Sequence, residues 1–369
     1  MTISFLDLKR SYGEIAGELE EAVVRVLRSG QYIGGQEVEA FEQNFARYVE
    51  AEHAIGVANG LEALHLALRA IGIKAGDEVI VPSNTFIATW LAVSQVGARC
   101  VPVEPDDGTS NIDPGRIEAA ITPATRAIIP VHLYGQAADL DPVLDIARRH
   151  DLFVIEDAAQ AQGALYKGRR VGAHGHMVIW SFYPGKNLGA IGDAGGVTTN
   201  DRTLADRVRL LRNYGSRERY QHLVPGFNSR LDPIQAAALT VKLRHLDNWN
   251  DRRRQIAAQY HQGLAGLNLL LPRVLDACVP VWHLYCVRHP QRDALRATLA
   301  ERGVETLIHY PVPPHLQPAY ADQGFRKGQY PIAERMSEEL ISLPIDPLMR
   351  DMEVAMVVDA VKASVTALG

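Results

Sequence analysis

The chain has 369 residues, a length that favours two domains or one large α/β core with an appendage. Hydrophobic residues make up 47% and charged residues 22%, with 30 Gly and 20 Pro, so collagenous, coiled-coil and disordered classes are excluded. The net charge is −5 and no segment is rich in Lys and Arg, which argues against a nucleic-acid partner.

Apolar residues three and four positions apart predict two amphipathic helices, over 12–29 and 36–50. Short apolar runs then alternate with helical patterns as far as residue 182. The predicted strands are 54–57, 78–81, 99–103, 127–131, 152–155 and 177–182, and the helices between them are 60–71, 86–96, 113–121 and 139–150. Because the strands are apolar throughout, the alternation predicts an α/β fold whose mostly parallel sheet is flanked by helices.

The C-terminal third has a different pattern. Asp232 and Pro233 are a good N-cap and first-turn pair, and they open a predicted long helix over 234–264. Strand-like runs at 279–281 and 284–287 follow, with helices predicted at 291–302 and 351–367. We therefore expect a large domain over residues 1–250 and a smaller C-terminal α+β domain over 251–369.

The cysteine count and the apolar segments bear on location. Cys100, Cys278 and Cys286 form an odd set without CxxC spacing, which indicates neither a disulfide framework nor a metal site. Residues 1–10 lack the uninterrupted apolar core of a signal peptide, and no later stretch approaches about 20 apolar residues. We therefore expect a cytoplasmic protein that does not span a membrane.

Two predicted strands end in unusual residues, and ligands of such sheets collect at the carboxyl ends of the strands. Strand 152–155 runs into Glu156 and Asp157, which indicates either a helix cap or a carboxylate beside a ligand cation. Lys186 lies in the glycine-rich loop after strand 177–182, with no charged residue within six positions. A P-loop is excluded because Trp180 and Asn187 stand where it needs Gly and Ser or Thr. A desolvated lysine loses its proton and forms Schiff bases, whereas an ordinary loop lysine is solvated.

Two further strand ends complete the pattern. Asn59 and Gly60 lead from a strand into a helix, whose N-terminus favours a phosphate, although Asn-Gly is also a common turn. Phe86 follows another strand and would stack on a flat ligand or join the core. A lysine for an aldehyde, a carboxylate for a ring nitrogen and a helix N-terminus for a phosphate together predict pyridoxal phosphate.

Ordered motifs over nearly the whole chain support this prediction. They are SGQYIGG (29–35), NG (59–60), PSNTFIAT (82–89), PVHLYG (130–135), EDAAQA (156–161), GFNSRLD (226–232) and IHYP (308–311). In these motifs the chain resembles the DegT-type sugar-nucleotide aminotransferases, within the fold type I group of pyridoxal phosphate enzymes. The resemblance implies the fold type I architecture of a large cofactor-binding domain and a smaller C-terminal domain.

The resemblance also implies roles for individual residues. Lys186 would form the Schiff base with the cofactor and later move protons, Asp157 would pair with the ring nitrogen, and Gln160 would contact the ring hydroxyl. The remaining cofactor contacts would be Phe86 on the ring, and Asn59, Gly60, Leu61, Ser181 and, from a second subunit, Asn228 at the phosphate. The protein would then be a homodimer with shared active sites.

The implied substrate residues are Tyr183, His309 and Tyr310 at the sugar and Arg219 at the pyrophosphate; structural packing, or a surface charge for Arg219, is the alternative for each. Family members commonly have SFHxxK and then TTGEGG, whereas this chain has YPGKNLGA at 183–190 and GDAG at 192–195. This version resembles the branch that acts on 3-keto-6-deoxyhexoses. It implies amino transfer from L-glutamate to C-3 of a nucleotide-linked sugar, with dTDP as the expected nucleotide. Transfer to C-4, a non-catalytic pyridoxal phosphate-binding regulator and a structural protein without cofactor remain open.

Overall fold

Alternating helices and strands form most of the chain, and the computed structural model describes residues 2–218 and 220–368. The helices are α1 (Leu8–Ser29), α2 (Gln36–Tyr48), α3 (Gly60–Ala70), α4 (Ile87–Gln95), α5 (Leu140–Arg149), α6 (Arg202–Leu211), α7 (Pro233–Leu243), α8 (Leu246–Leu264), α9 (Arg292–Glu301), α10 (Pro331–Glu339) and α11 (Asp351–Ala367). The strands are β1 (His53–Val57), β2 (Glu78–Pro82), β3 (Arg99–Val103), β4 (Thr125–Ile128), β5 (Phe153–Asp157), β6 (Leu165–Tyr166), β7 (Arg169–Arg170), β8 (Met177–Ser181), β9 (Gly195–Thr199), β10 (Ser216–Glu218), β11 (Gln221–His222), β12 (Cys278–Val279), β13 (Tyr285–Arg288) and β14 (Leu340–Leu343).

A seven-stranded sheet lies at the centre, in the order β1-β9-β8-β5-β4-β2-β3. The five strands from β8 to β3 pair in parallel, and β9 is antiparallel to both of its neighbours. In β2, Val79 and Val81 pack with residues of α3 and α4, whereas Ile80 packs with residues of α5 on the other face. Helices therefore cover both faces, which confirms the predicted α/β fold and explains why the strands are apolar throughout.

A separate core forms near the C-terminus. Residues of α8, α9 and α11 pack there with the antiparallel pair β13 and β14. Ile3 belongs to the same core and makes a parallel bridge with Val304, so the start of the chain lies against its C-terminal part. Helix α8 crosses the position proposed for the domain boundary, and the division into 1–250 and 251–369 stays a prediction.

Two local predictions are wrong, and one strand was missed. The helix expected over 234–264 is two helices, because α7 ends at Leu243 and α8 begins at Leu246 to join the C-terminal core. The helix expected over 113–121 consists of two 3-10 turns, Pro114–Arg116 and Glu118–Ala120. Strand β9 was not predicted, because its two glycines break the apolar pattern.

Candidate functional site

A cavity of about 900 Å³ opens beside the carboxyl ends of β5 and β8 and the N-terminus of α3. Most residues expected from the sequence line it. They are Asn59, Gly60, Leu61, Phe86, Asp157, Gln160, Ser181, Tyr183, Lys186, His309 and Tyr310. The fold therefore brings to one place side chains that lie up to about 250 residues apart in the chain.

Lys186 lies in the loop that follows β8, where its backbone N–H donates to the carbonyl of Tyr183 at 2.8 Å. Burial lowers the pKa of its amine to about 8, although the charge of Asp157 acts in the opposite direction. A substantial share of the amine is therefore neutral near that pH. Neutral amine is the form that reacts with a carbonyl carbon.

Asp157 ends strand β5 and is 5% exposed. One carboxylate oxygen accepts from the Thr89 hydroxyl at 3.0 Å, and the other accepts from the Ala159 N–H at 3.1 Å. Burial raises the pKa of the carboxyl group, and no salt bridge joins Asp157 to another of the described residues. A cation stabilises a carboxylate that is buried and has no salt bridge. This wall of the cavity therefore favours a positively charged ligand group.

The adjacent Glu156 points away from the cavity, as neighbouring side chains of a strand do. Its carboxylate accepts from His132 Nε2 at 2.9 Å, and both side chains are fully buried. Burial raises the pKa of Glu156, but the hydrogen bond and the charge of His132 outweigh it and the pKa is lowered. The tertiary structure thus assigns one carboxylate of the motif to the core and the other to the site.

The N-terminus of α3 forms the opposite end of the cavity. Asn59 caps the helix, since its side-chain oxygen accepts from the Glu62 N–H at 2.9 Å. A Cβ atom on Gly60 would lie 2.7 Å from Ser181 Cβ, so glycine is required at this close approach. The first N–H groups of a helix have no partner within it, and here they adjoin the Ser181 hydroxyl. Such a group of donors binds anions such as phosphate.

Aromatic residues form the side wall. The rings of Phe86 and Tyr310 lie 5.2 Å apart, and Phe86 is half exposed towards the cavity. The Tyr310 hydroxyl accepts from Gln160 Nε2 at 3.0 Å. His309 Nδ1 lies 2.8 Å from the Ser342 hydroxyl, and burial together with the charge of Lys186 lowers the pKa of His309 to about 4. Residues of the C-terminal part thus complete the cavity.

Two of the expected residues are not among those placed at this cavity, for different reasons. Asn228 is exposed outside it and forms a bridge with Asn213. Arg219 lies outside the described residues. Both stay predictions.

Sequence reasoning missed several cavity residues, among them His283 and Arg253. Arg253 is 4% exposed and donates to the backbone carbonyls of Trp282 and Ile345, at 3.2 and 2.6 Å. It lies within a run of three consecutive arginines, which is typical of solvent-exposed charge. His283 has no motif around it, so no local signal could have identified either residue.

The cavity fits pyridoxal phosphate by three independent observations. Gly60 and Ser181 leave an anion cradle that a Cβ atom would fill. Asp157 is a buried carboxylate with no salt bridge to any described residue, and the pKa of the Lys186 amine is lowered to about 8. These match the phosphate, the ring nitrogen and the aldehyde of that cofactor respectively.

Neither a membrane span nor a metal cluster is found in the part of the chain that the structure describes. None of the helices within residues 2–218 and 220–368 is long and apolar enough to cross a bilayer. The same residues contain no group of three or more His, Cys, Asp or Glu side chains that could hold a metal ion.

The comparisons with known proteins agree with this geometry. The model of the DegT/DnrJ/EryC1/StrS aminotransferase family matches residues 14–362. The chain belongs to this family. It is therefore an aminotransferase, which confirms the family and the enzyme class predicted from the motifs.

Individual relatives are similar over almost their whole length. A dTDP-3-amino-3,4,6-trideoxy-alpha-D-glucose transaminase from Streptomyces venezuelae is 54% identical, over 98% of this chain and 95% of the relative. A dTDP-3-amino-3,6-dideoxy-alpha-D-galactopyranose transaminase from Aneurinibacillus thermoaerophilus is 52% identical, over 97% and 98%. The crystal structure of S. venezuelae DesV in complex with a ketimine intermediate superposes with a TM-score of 0.98 at 53% identity, covering 99% of this chain and 98% of that one.

Proposed function

We propose that this aminotransferase moves the amino group of L-glutamate to C-3 of a dTDP-linked 3-keto-6-deoxyhexose and forms a 3-amino-3,6-dideoxy sugar nucleotide. The observation that carries the proposal is the single cavity that joins Lys186, Asp157 and the Gly60–Ser181 cradle. The choice of C-3 and of dTDP is supported by two relatives whose names specify dTDP-3-amino sugars.

We propose pyridoxal phosphate as the cofactor. When bound, it supplies an aldehyde and an electron-withdrawing ring, which together make amino transfer possible. Lys186 would hold the aldehyde, Asp157 would keep the ring nitrogen protonated, and Phe86 would cover one face of the ring. The amine of Lys186, with its pKa lowered to about 8, is suited to accept and return a proton at neutral pH.

The roles of the substrate residues belong to the same proposal. Tyr183, His309 and Tyr310 would contact the sugar, and Arg219 would bind the pyrophosphate. Tyr183 is 59% exposed, whereas the two aromatic residues from the C-terminal part lie deeper. This arrangement supports entry of the nucleotide sugar past Tyr183.

We propose a cytoplasmic homodimer with shared active sites. Asn228 is exposed and lies outside the cavity of its own chain, which suits a contact with a second subunit. Exposed apolar residues such as Tyr32, Ile33 and Leu223 offer a surface for that contact. An Asn228→Ala variant that forms dimers but binds the cofactor less tightly would support the shared site, whereas unchanged binding would refute it.

Product analysis tests the reaction. Purified enzyme with pyridoxal phosphate and L-glutamate is offered freshly made dTDP-3-keto-6-deoxyhexose or its 4-keto isomer, and products are identified by mass spectrometry and NMR. We expect an amine at C-3 from the 3-keto sugar, and an amine only at C-4 would refute the choice of position. With glutamate as the only substrate, about one 2-oxoglutarate should form per active site. If no amino donor yields its keto acid, the protein is a regulator.

A further inference from the structure

A series of hydrogen bonds runs from Asn250 through Asn187 to His283. Its side-chain amides are buried, and Asn187 directly follows Lys186 in the sequence. Asn250 Nδ2 donates to the backbone carbonyl of Gln162 at 2.9 Å, and Asn187 Nδ2 donates to Asn250 Oδ1 at 2.8 Å. Asn187 Nδ2 also donates to the carbonyl of Val281 at 2.9 Å. The two asparagines are 1% and 6% exposed, so water does not compete for these bonds.

The direction of each hydrogen bond in this series is fixed. A backbone carbonyl can only accept, so the amide nitrogens of Asn250 and Asn187 must point to the carbonyls of Gln162 and Val281. The Oδ1 atom of Asn187 then faces His283 Nδ1, at 3.2 Å. Because that oxygen is an acceptor, the proton of the neutral imidazole must be on Nδ1, and Nε2 carries a lone pair.

The second imidazole nitrogen, Nε2, is not part of this series of hydrogen bonds. His283 is one of the cavity-lining residues, and within residues 2–218 and 220–368 no hydrogen bond engages Nε2. Arg253 holds the backbone at this position, since it donates to the carbonyls of Trp282 and His283, at 3.2 and 3.5 Å. Asn187, which orients the imidazole, is the residue next to Lys186. His283 and Lys186 both line the cavity, so the acceptor and the amine border the same space.

The charges around His283 keep it neutral. Burial lowers the pKa of His283 well below its usual value, and the cations Lys186 and Arg253, with His309, act in the same direction. The group that faces Lys186 from β5 is the carboxylate of Asp157. This shift favours the neutral imidazole, whose Nε2 is an acceptor.

We propose that His283 is a positioning residue for Lys186: when the lysine stem turns towards His283, the amine donates an N–H to the Nε2 lone pair. A neutral amine has one lone pair and two N–H groups, so engaging one N–H fixes where the lone pair points. The flexible stem of lysine lets the amine reach this acceptor. In the aminotransferase proposed above, that lone pair takes the proton from the substrate carbon and must point to it.

Three readouts test the proposal, and two of them use the apoprotein, so they stand whether or not the proposed substrate is correct. Histidine labelled with ¹⁵N reports the tautomer of His283 by long-range ¹H–¹⁵N correlation, and the His283→Gln variant assigns the signal. We expect the Nδ1–H tautomer from pH 6 to 9. The Nε2–H tautomer, or titration within this range, would overturn the proposal.

The second readout is the pH midpoint of reductive methylation of Lys186, followed by peptide mass spectrometry. An acceptor stabilises the ammonium, so His283→Phe should lower the midpoint by about one pH unit. His283→Gln keeps an acceptor near the Nε2 position and should stay within about 0.3 unit of the wild type. Equal shifts in both variants, or none in either, would show that the acceptor is not what matters. Circular dichroism and thermal unfolding confirm that each variant is folded.

The third readout separates kcat from KM in the loaded enzyme. Loss of amine orientation should lower kcat by about tenfold to 100-fold in His283→Phe and leave KM for L-glutamate within about threefold. His283→Gln should recover most of this loss. A raised KM with an unchanged kcat would assign Nε2 to the amino donor instead and refute the positioning role.

Discussion

Replacing Gly60 with alanine tests the anion cradle directly. The added Cβ would lie 2.7 Å from Ser181 Cβ and 3.2 Å from both Ser181 Cα and Oγ. Ordinary contact begins near 3.4 Å, so the N-terminus of α3 and the end of β8 must separate by about 0.7 Å. Overpacking of this kind costs about 1–3 kcal/mol. If the separation moves the helix N–H groups away from the phosphate, each 1.4 kcal/mol of binding free energy that is lost weakens cofactor binding about tenfold.

The assay is titration of the apoprotein with pyridoxal phosphate, followed by absorbance, together with urea unfolding of the apoprotein. Gly17→Ala is the matched control, since Gly17 lies within α1 with no atom within 4 Å of an added Cβ. That change should leave cofactor affinity unaltered and add up to about 1 kcal/mol of stability. A Gly60→Ala variant whose cofactor affinity stays within twofold of the wild type would refute the cradle.

Three other predictions concern charge and packing. Asp157→Asn should weaken cofactor binding at least about tenfold, because a neutral amide stabilises a protonated ring nitrogen less than a carboxylate does, and equal affinity in the same titration would contradict the assignment. Burial raises the pKa of Glu353, but hydrogen bonds from Arg350 and Arg10 outweigh it and lower the pKa to about 2. The folded-state pKa lies below the usual 4.5, so roughly 1–2 kcal/mol of stability is present above pH 4.5 and lost as pH falls towards 2. Urea unfolding of Glu353→Gln should show less change over that range, and the same pH dependence as in the wild type would exclude this cause. Trp180 is fully buried, so Trp180→Ala should lower the free energy of unfolding by about 3–5 kcal/mol, and a loss below about 1 kcal/mol would mean that the core closes around the gap.

Much of the site was predictable because its main residues lie where strands end. A strand end is a local feature, marked by the change from an apolar run to polar residues, as at Asp157 after β5 and Lys186 after β8. Residues without such a mark were missed. His283 joins the cavity through Asn187, 96 positions away, and no local pattern encodes that contact.

The sequence by itself determined the alternation of helices and buried strands, the family motifs and the lysine and carboxylate of the site. These depend on periodicity and on residue type at strand ends, which are properties of short segments. Only the tertiary structure decided that Glu156 pairs with His132 in the core, that β9 lies between β1 and β8, and that His283 lines the same cavity as Lys186. Each of these depends on packing between segments distant in the chain, where burial and hydrogen bonding select one arrangement among several that local patterns allow.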